Sequence, residues 1–269
     1  MDELTVLTFN LRGAYIPDGL NAWPNRADQV VDLLRREDPD LVGFQEAQQG
    51  NLDLLEEAFP EHGWERGPEY NNRVPFAWPA VRWNPDRLRK VEAGGFWLST
   101  TPERHSGDWE TNCIRSALWI RFQLLPDGPE FVHLNTHLDH ISGKARLEGS
   151  KVILEKLSPF ARLGLPLLLT GDFNAGPESD VHGLFREEGF ADLFHATGGR
   201  DGPEVFTFHA FTGKRVPGEE RIDWILSRPG KGWRWSARSH EILTDAKPPV
   251  YPSDHYPVRA VVRLGPESE

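Results

Sequence analysis

Short apolar runs that break off on Asn, Asp, Glu or His recur from one end of this sequence to the other. LTVLTFN stops at Asn10, and DLVGFQE stops at Gln45 and Glu46. EFVHLNTHLD passes through Asn135, His137 and Asp139, and LPLLLTGDFN delivers Asp172 and Asn174. RIDWIL carries Asp223, and YPSDHYPV holds Asp254 and His255. A buried strand finishes in a turn, and polar side chains at such ends are candidates for a site. Six endings of one kind predict strand ends that converge on a single metal-binding, phosphate-handling pocket.

The periodicity predicts strands near 3–10, 40–46, 74–83, 116–125, 130–138, 166–171, 221–227 and 257–264. Helical spacing is found near 25–37, 50–58, 144–157 and 180–188, with Pro39 and Pro159 as stops after the first and third. Segments 60–73, 99–112, 195–220 and 228–251 carry Gly, Pro and Trp and read as loops that wall a pocket. Strands mixed with helices predict packed sheets with helices outside. No Ser/Gly-rich linker interrupts the 269 residues, so a single domain over 1–269 is expected.

Charge and cysteine content narrow the function. A net charge of −11 and the lack of any Lys/Arg run longer than two residues disfavour a long duplex substrate, since such binders neutralise phosphates with a basic face. Bound divalent cations offset local acidity, so nuclease activity on short or single-stranded nucleic acid stays open. The single Cys113 excludes an internal disulfide framework and a multi-cysteine zinc site. No apolar run is long enough for a membrane span and no signal segment opens the chain, so a cytoplasmic location is expected. No protein partner is indicated.

GDFN at 171–174 is the sharpest local signal. Gly171 permits a tight exit from a buried strand. An Asp that activates water beside an Asn that orients it is a sensible pair for phosphoryl transfer, although an Asx turn accounts for either residue alone. In SDH, His255 offers a phosphate contact or a proton shuttle, and Asp223 is the best carboxylate to fix its tautomer. Glu46 with Asn10 makes an oxygen-rich site suited to Mg²⁺ or Mn²⁺. Arg115, His140, Trp97 and His209 are weaker candidates for substrate contacts; Arg221 reads as a structural ion pair. His133, His137 and His140 also have the look of a zinc set, but His140 lies past the strand that the other two share.

TFNLR, FQE, NTHLD, LTGDFNA, RIDWIL and SDHYPV, in that order from residue 8 to 258, resemble the endonuclease/exonuclease/phosphatase superfamily of DNase I-like phosphoesterases, in a bacterial branch. The resemblance implies an α/β fold, a four-layer α/β/β/α sandwich of two mixed sheets flanked by helices, with the site at one end. It implies Glu46 as the principal metal-ligating carboxylate, with Asn10 and Asp254 near the metal. Asp172 and Asn174 become the water-activating and water- or phosphate-orienting pair, His255 the phosphate-contacting histidine paired with Asp223, and His137 a contact to phosphate or leaving group. Many members pair the equivalent of His137 with a glutamate. Here the nearest position is Asn71 or Asn72, with Glu69 offset, so a charged general acid and a neutral donor both remain open for His137. The expected activity is metal-dependent hydrolysis of a phosphate ester by an activated water. A nuclease-like phosphodiesterase and a phosphatase of a small metabolite or lipid headgroup are the two forms. A non-catalytic scaffold of the same fold is the remote alternative.

Overall fold

The computed structural model describes residues 3–69 and 77–267. Its first half runs β1 (Leu4–Asn10), α1 (Trp23–Glu37), β2 (Leu41–Ala47), α2 (Gln49–Ala58), β3 (Gly63–Arg66), β4 (Trp78–Trp83), β5 (Leu88–Trp97) and β6 (Ser116–Leu124). There follow β7 (Glu130–His137), α3 (Gly143–Arg162), β8 (Leu167–Asp172), α4 (Asp180–Glu187), β9 (Ala191–Asp192), α5 (Leu193–Ala196), β10 (Asp223–Arg228), β11 (Trp233–Ile242) and β12 (Val258–Pro266). Two six-stranded sheets result, in the orders β11-β12-β1-β2-β4-β3 and β5-β6-β7-β8-β10-β9.

Each sheet contains one parallel pair, β1 with β2 and β7 with β8, joined through α1 and α3; the other pairings are antiparallel. A parallel crossover needs a helix to return the chain, and it leaves both strands ending at the same edge of the sheet. Asn10 therefore lies beside Gln45, and His137 beside Asp172. Antiparallel β10 brings Asp223 opposite Asp172. The polar strand ends legible in the sequence are thus delivered to one edge by topology.

Leu4, Val6, Leu118, Phe122 and Leu168 belong to a core between the sheets. Val30, Leu34, Leu52 and Leu55 of α1 and α2 pack with Leu7, Phe9 and Phe44. Ile153, Leu157 and Phe185 of α3 and α4 pack with Leu134, Leu169 and Trp224. Three apolar cores separate four layers, an α/β/β/α sandwich of two mixed sheets.

A buried polar seam ties the sheets just behind the site. Gln45 Nε2 donates to Thr8 Oγ1 (3.0 Å) and Asn135 Oδ1 (2.7 Å). Asn135 Nδ2 donates across to the carbonyls of Phe44 (2.7 Å) and Ala80 (3.0 Å), and Thr170 Oγ1 donates to Asn135 Oδ1 (3.1 Å). Gly43 makes room for it: a Cβ there would stand 2.1 Å from Thr170 Oγ1. Hydrogen bonds buried among apolar layers are directional, so the seam fixes the offset between the two parallel pairs.

The sequence reading differs from the fold in its edges. The segments expected as loops at 60–73 and 228–251 contain β3 and β11. Edge strands need only one buried face, and WRWSARSHEI alternates half-buried with exposed positions against β12. β5 and β9 are likewise edge or short strands. Pro159 does not stop α3, which runs to Arg162. Proline removes the N–H that would bond the Glu155 carbonyl, and the Ser158 hydroxyl donates to that carbonyl instead (2.8 Å).

Candidate active site

Asp172 is the hub of the converging ends. Its Oδ2 accepts from Asn10 Nδ2 (3.0 Å) and lies 3.3 Å from His137 Nε2 and 3.7 Å from His255 Nε2. Its Oδ1 accepts the Asn174 backbone N–H (2.9 Å). Asn10 Nδ2 also reaches Glu46 Oε1 (3.3 Å) on the neighbouring strand β2, so Asn10 joins that strand end to Asp172 of the other sheet. Glu46 and Asn174 both hold left-handed backbones, at φ 54° and 47°. Such conformations cost energy in residues with a Cβ and turn the two side chains out of the strand alternation. Glu46 falls in the irregular part of the β2–β4 pairing, between Phe44 and Ala47.

The SDH segment is held from both sides. Ser253 Oγ donates to the Asn10 carbonyl (2.6 Å). The His209 and Tyr256 backbone N–H groups bond the carbonyls of Asp254 and Thr207, both at 2.8 Å. Thr207 Oγ1 accepts from the N–H groups of Ile222 and Asp223, which ties the same loop to the start of β10. His255 Nδ1 consequently meets Asp223 Oδ2 at 2.9 Å.

These contacts set the protonation states. Burial pushes the Asp172 carboxyl up to about 7, with the Asp223 charge adding to it. Burial opposes charge on His255, but Asp223 and Asp172 outweigh it and hold its pKa well above the usual imidazole range. His137 goes the other way, driven down by burial and then by Arg115. Arg115 Nη1 lies 3.0 Å from His137 Nδ1 and Nη2 lies 3.2 Å from His140 Nδ1. A guanidinium only donates, so both Nδ1 atoms accept and the His137 proton sits on Nε2, facing Asp172. Asn174 Nδ2, also 3.0 Å from that Nε2, then spends its hydrogen bond on the Leu138 carbonyl (3.0 Å).

Asn10, Glu46, His137, Asp172, Asn174, Asp223 and His255 are therefore joined by one set of contacts, with Arg115 and His140 at its rim. Asp254, its carboxyl raised by burial, lies 3.7 Å from Arg12 Nε. His209 is buried between the rings of Tyr256 and Tyr251, with centroids at 4.1 and 5.1 Å. Trp97 packs edge-on against His105 and bonds the Pro102 carbonyl, anchoring its own loop. His133 is wholly buried, 2.8 Å from Thr170 Oγ1, in the seam and apart from His140. Asn71 and Asn72 lie outside the described residues; Glu69 is exposed.

Sequence reasoning passed over two arginines. Arg12, left-handed at φ 53°, donates its backbone N–H to Asn10 Oδ1 (3.0 Å) and its guanidinium to Asp18. It is the last letter of TFNLR, and its position two residues past Asn10 was the available signal. Arg26, fully buried in α1, donates to the carbonyls of Leu11, Arg12, Asn21 and Pro252, stitching the loop after β1 to the segment before Ser253. Nothing in its helical context marks it.

The donor set fits a hard divalent cation. Glu46 and Asp254 are carboxylates and Asn10 an amide, the oxygen ligands such ions take. Asp172, Asp223 and His255 present ligand atoms within 4.8 Å of one another, and Asp223 Oδ1 is buried with no hydrogen-bond partner among the described residues. Adjacent buried carboxylates short of a counter-charge are what a cation relieves.

Residues 7–255 match the family model described as Endonuclease/Exonuclease/phosphatase family. A mannosyl-6-phosphatase of Bacteroides thetaiotaomicron is 30% identical, with a TM-score of 0.87, over 97% of this chain and 99% of that one. A functionally unknown conserved protein of Enterococcus faecalis is 31% identical at a TM-score of 0.86, over 98% of this chain and 100% of that one. An uncharacterised protein of Acanthamoeba polyphaga mimivirus is 26% identical over 163 residues, 56% of this chain; the match spans only 59% of that relative's length. None of the described helices is long and apolar enough to cross a membrane. The chain belongs to the endonuclease/exonuclease/phosphatase family and carries its phosphoesterase fold.

Proposed function

We propose that the protein is a divalent-metal-dependent hydrolase of phosphate esters, acting by in-line attack of a water activated at Asp172. The observation that carries this reading is the environment of Asp172. A buried carboxylate with a pKa of about 7, facing two imidazole Nε2 atoms and an asparagine amide, is a general base poised near neutrality. Asp172 takes the proton of the attacking water. His255, charged and oriented by Asp223, donates from Nε2 to a phosphoryl oxygen, and His137 adds a neutral donor. Asn174 orients water or phosphate. Glu46 would hold Mg²⁺ or Mn²⁺ with Asn10 and Asp254 beside it, supplying charge neutralisation at the phosphate and leaving oxygen. No covalent intermediate on the protein is required.

A small phosphate ester is the substrate class favoured. The −11 charge disfavours a long polyanion, and the mannosyl-6-phosphatase relative matches nearly the whole chain. The test is a panel of p-nitrophenyl phosphate, bis-p-nitrophenyl phosphate, sugar and inositol phosphates, and single-stranded DNA and RNA, with Mg²⁺, Mn²⁺ or EDTA. Metal-dependent release of inorganic phosphate is expected, and it should be lost in Asp172→Ala and His255→Ala. Faster cleavage of the nucleic acids, with steep salt inhibition, would replace the small ester by a nuclease substrate. Full activity in EDTA would reject the metal-dependent reading.

A further inference from the structure

Asp139 is 2% exposed, yet no step above uses it. Both its oxygens are filled. Oδ2 accepts from Thr111 Oγ1 (2.9 Å) and the backbone N–H groups of Asn112 (2.9 Å) and Cys113 (3.0 Å). Oδ1 accepts the N–H groups of Ile141 (3.0 Å) and Ser142 (2.7 Å). The first three donors belong to the segment that leads into Arg115. The other two lie just past His140. One carboxylate thus knots together the two stretches of backbone that present Arg115 and His140, and Arg115 spans from His140 to His137 immediately beside the knot.

The knot also holds strain. Trp109 and Glu110 are consecutive left-handed residues with a Cβ, at φ 57° and 62°. The Ser142 hydroxyl donates to the Trp109 carbonyl (2.7 Å) while it caps α3 by accepting from the Ala145 N–H (3.1 Å). A segment bent this way persists only where its surroundings over-determine it. The acidity of Asp139 agrees: burial raises it, but the bonds from Ser142, Cys113, Thr111 and Ile141 prevail and bring it down to about 2.

We infer that Asp139 is a positioning residue that fastens the 109–114 segment against the end of β7 and thereby aims the Arg115 guanidinium at His137 and His140. The geometry stands by itself; its consequence for turnover rests on the phosphoesterase reading. Asparagine cannot replace the carboxylate. Whichever way the amide is turned, its NH₂ faces a pair of backbone N–H groups, those of Asn112 and Cys113 or those of Ile141 and Ser142, which only donate. Asp108 is the natural control, since it binds the Thr100 N–H and hydroxyl at the far side of the same segment.

The experiment compares wild type, Asp139→Asn, Arg115→Ala, the double variant and Asp108→Asn. It reads kcat/KM on p-nitrophenyl phosphate with Mg²⁺, and imidazole ¹⁵N shifts without substrate. Asp139→Asn and Arg115→Ala should each lower kcat/KM at least tenfold, with the double variant no worse than the worse single, because residues acting through one contact are non-additive. Asp108→Asn should stay within twofold of wild type. The His137 Nδ1 resonance should move in Asp139→Asn towards its position in Arg115→Ala. Losses that multiply in the double variant, or an unmoved His137 resonance, would overturn the inference. The resonance decides the matter even if p-nitrophenyl phosphate is not turned over. Should Asp139→Asn not fold, Thr111→Val removes one of the five donors and should move the same resonance less far in the same direction; no movement there also overturns it.

Discussion

Asp172 and Asp192 are both buried carboxylates facing histidine, yet their acidities are driven apart. Asp192 Oδ2 accepts from His182 Nε2 (3.1 Å) and Arg221 Nη2 (2.8 Å), and Arg221 continues to Asp201 (3.1 Å). Burial alone would raise Asp192, but His182 and Arg221 bring it down to about 2. Asp172 has no guanidinium against it and has Asp223 for a neighbour, so it rises to about 7. His182, Asp192 and His195 stand as close together as Asp172, Asp223 and His255 do, and on residue types alone either trio resembles a metal site. The difference is whether the protein has already supplied the counter-charge. Around Asp192 it has, and the result is a structural ion-pair network between α4, α5 and the start of β10. Around Asp172 the charge is left unbalanced, which is what the proposed reaction, with its cation and phosphate, requires.

The largest effect should separate the clusters by activity. Asp172→Ala is expected to lower kcat by about 10²–10³ or more, the scale for losing one preorganised transition-state group. Its unfolding midpoint should stay the same or rise, because a poorly paired buried charge has gone. A mutant both inactive and strongly destabilised would make Asp172 structural.

Arg221→Met should show the reverse. It leaves Asp192 buried without its guanidinium, with only His182, His195 and the Phe194 N–H about it, and a broken buried pair costs about 3–5 kcal/mol, readable in urea unfolding. Turnover per folded molecule should hardly change. Lost activity in a protein of wild-type stability would bring Arg221 into the site.

Smaller, and of opposite sign in the two clusters, is the dependence of stability on pH without metal. The Asp192 pKa is depressed, so its contribution is complete above the usual carboxylate value of 3.8 and fades as pH falls through about 2. The Asp172 pKa is raised, so its contribution is complete below 3.8 and is lost as pH rises through about 7. Between pH 4 and 8, metal-free wild type should therefore lose stability relative to Asp172→Asn, while Asp192→Asn should run parallel to wild type. Parallel curves for all three would show that Asp172 is not perturbed.

How much of this could be read in advance follows from what each residue faces. Asn10, Glu46, His137, Asp172, Asp223 and His255 sit at or just past the ends of apolar runs, where a polar side chain interrupts a pattern that the core demands, so the sequence exposes them. β11 was obscured because an edge strand alternates Trp and Ala with Arg, Ser and His and never forms an apolar run. Arg26, and the role of Asp139 though not its place at a strand end, were obscured for another reason. Their partners are backbone groups, four carbonyls and four N–H groups, and main-chain acceptors and donors leave no trace in residue identity. The contrast between the clusters was equally hidden, since it depends on Arg221 reaching back to Asp192 across 29 residues.

The most direct test of the central claim is calorimetric titration of Mn²⁺ into wild type, Asp172→Asn and Asp192→Asn at pH 7, in buffers of different ionisation enthalpy. If the cation is held by Glu46 beside the unbalanced cluster, wild type and Asp192→Asn bind one or more ions and release a fraction of a proton from Asp172, whose charged form the neighbouring cation favours, while Asp172→Asn, short of that charge, binds more weakly and releases none. Binding that is untouched by Asp172→Asn and abolished by Asp192→Asn would contradict the account and move the metal to the other cluster.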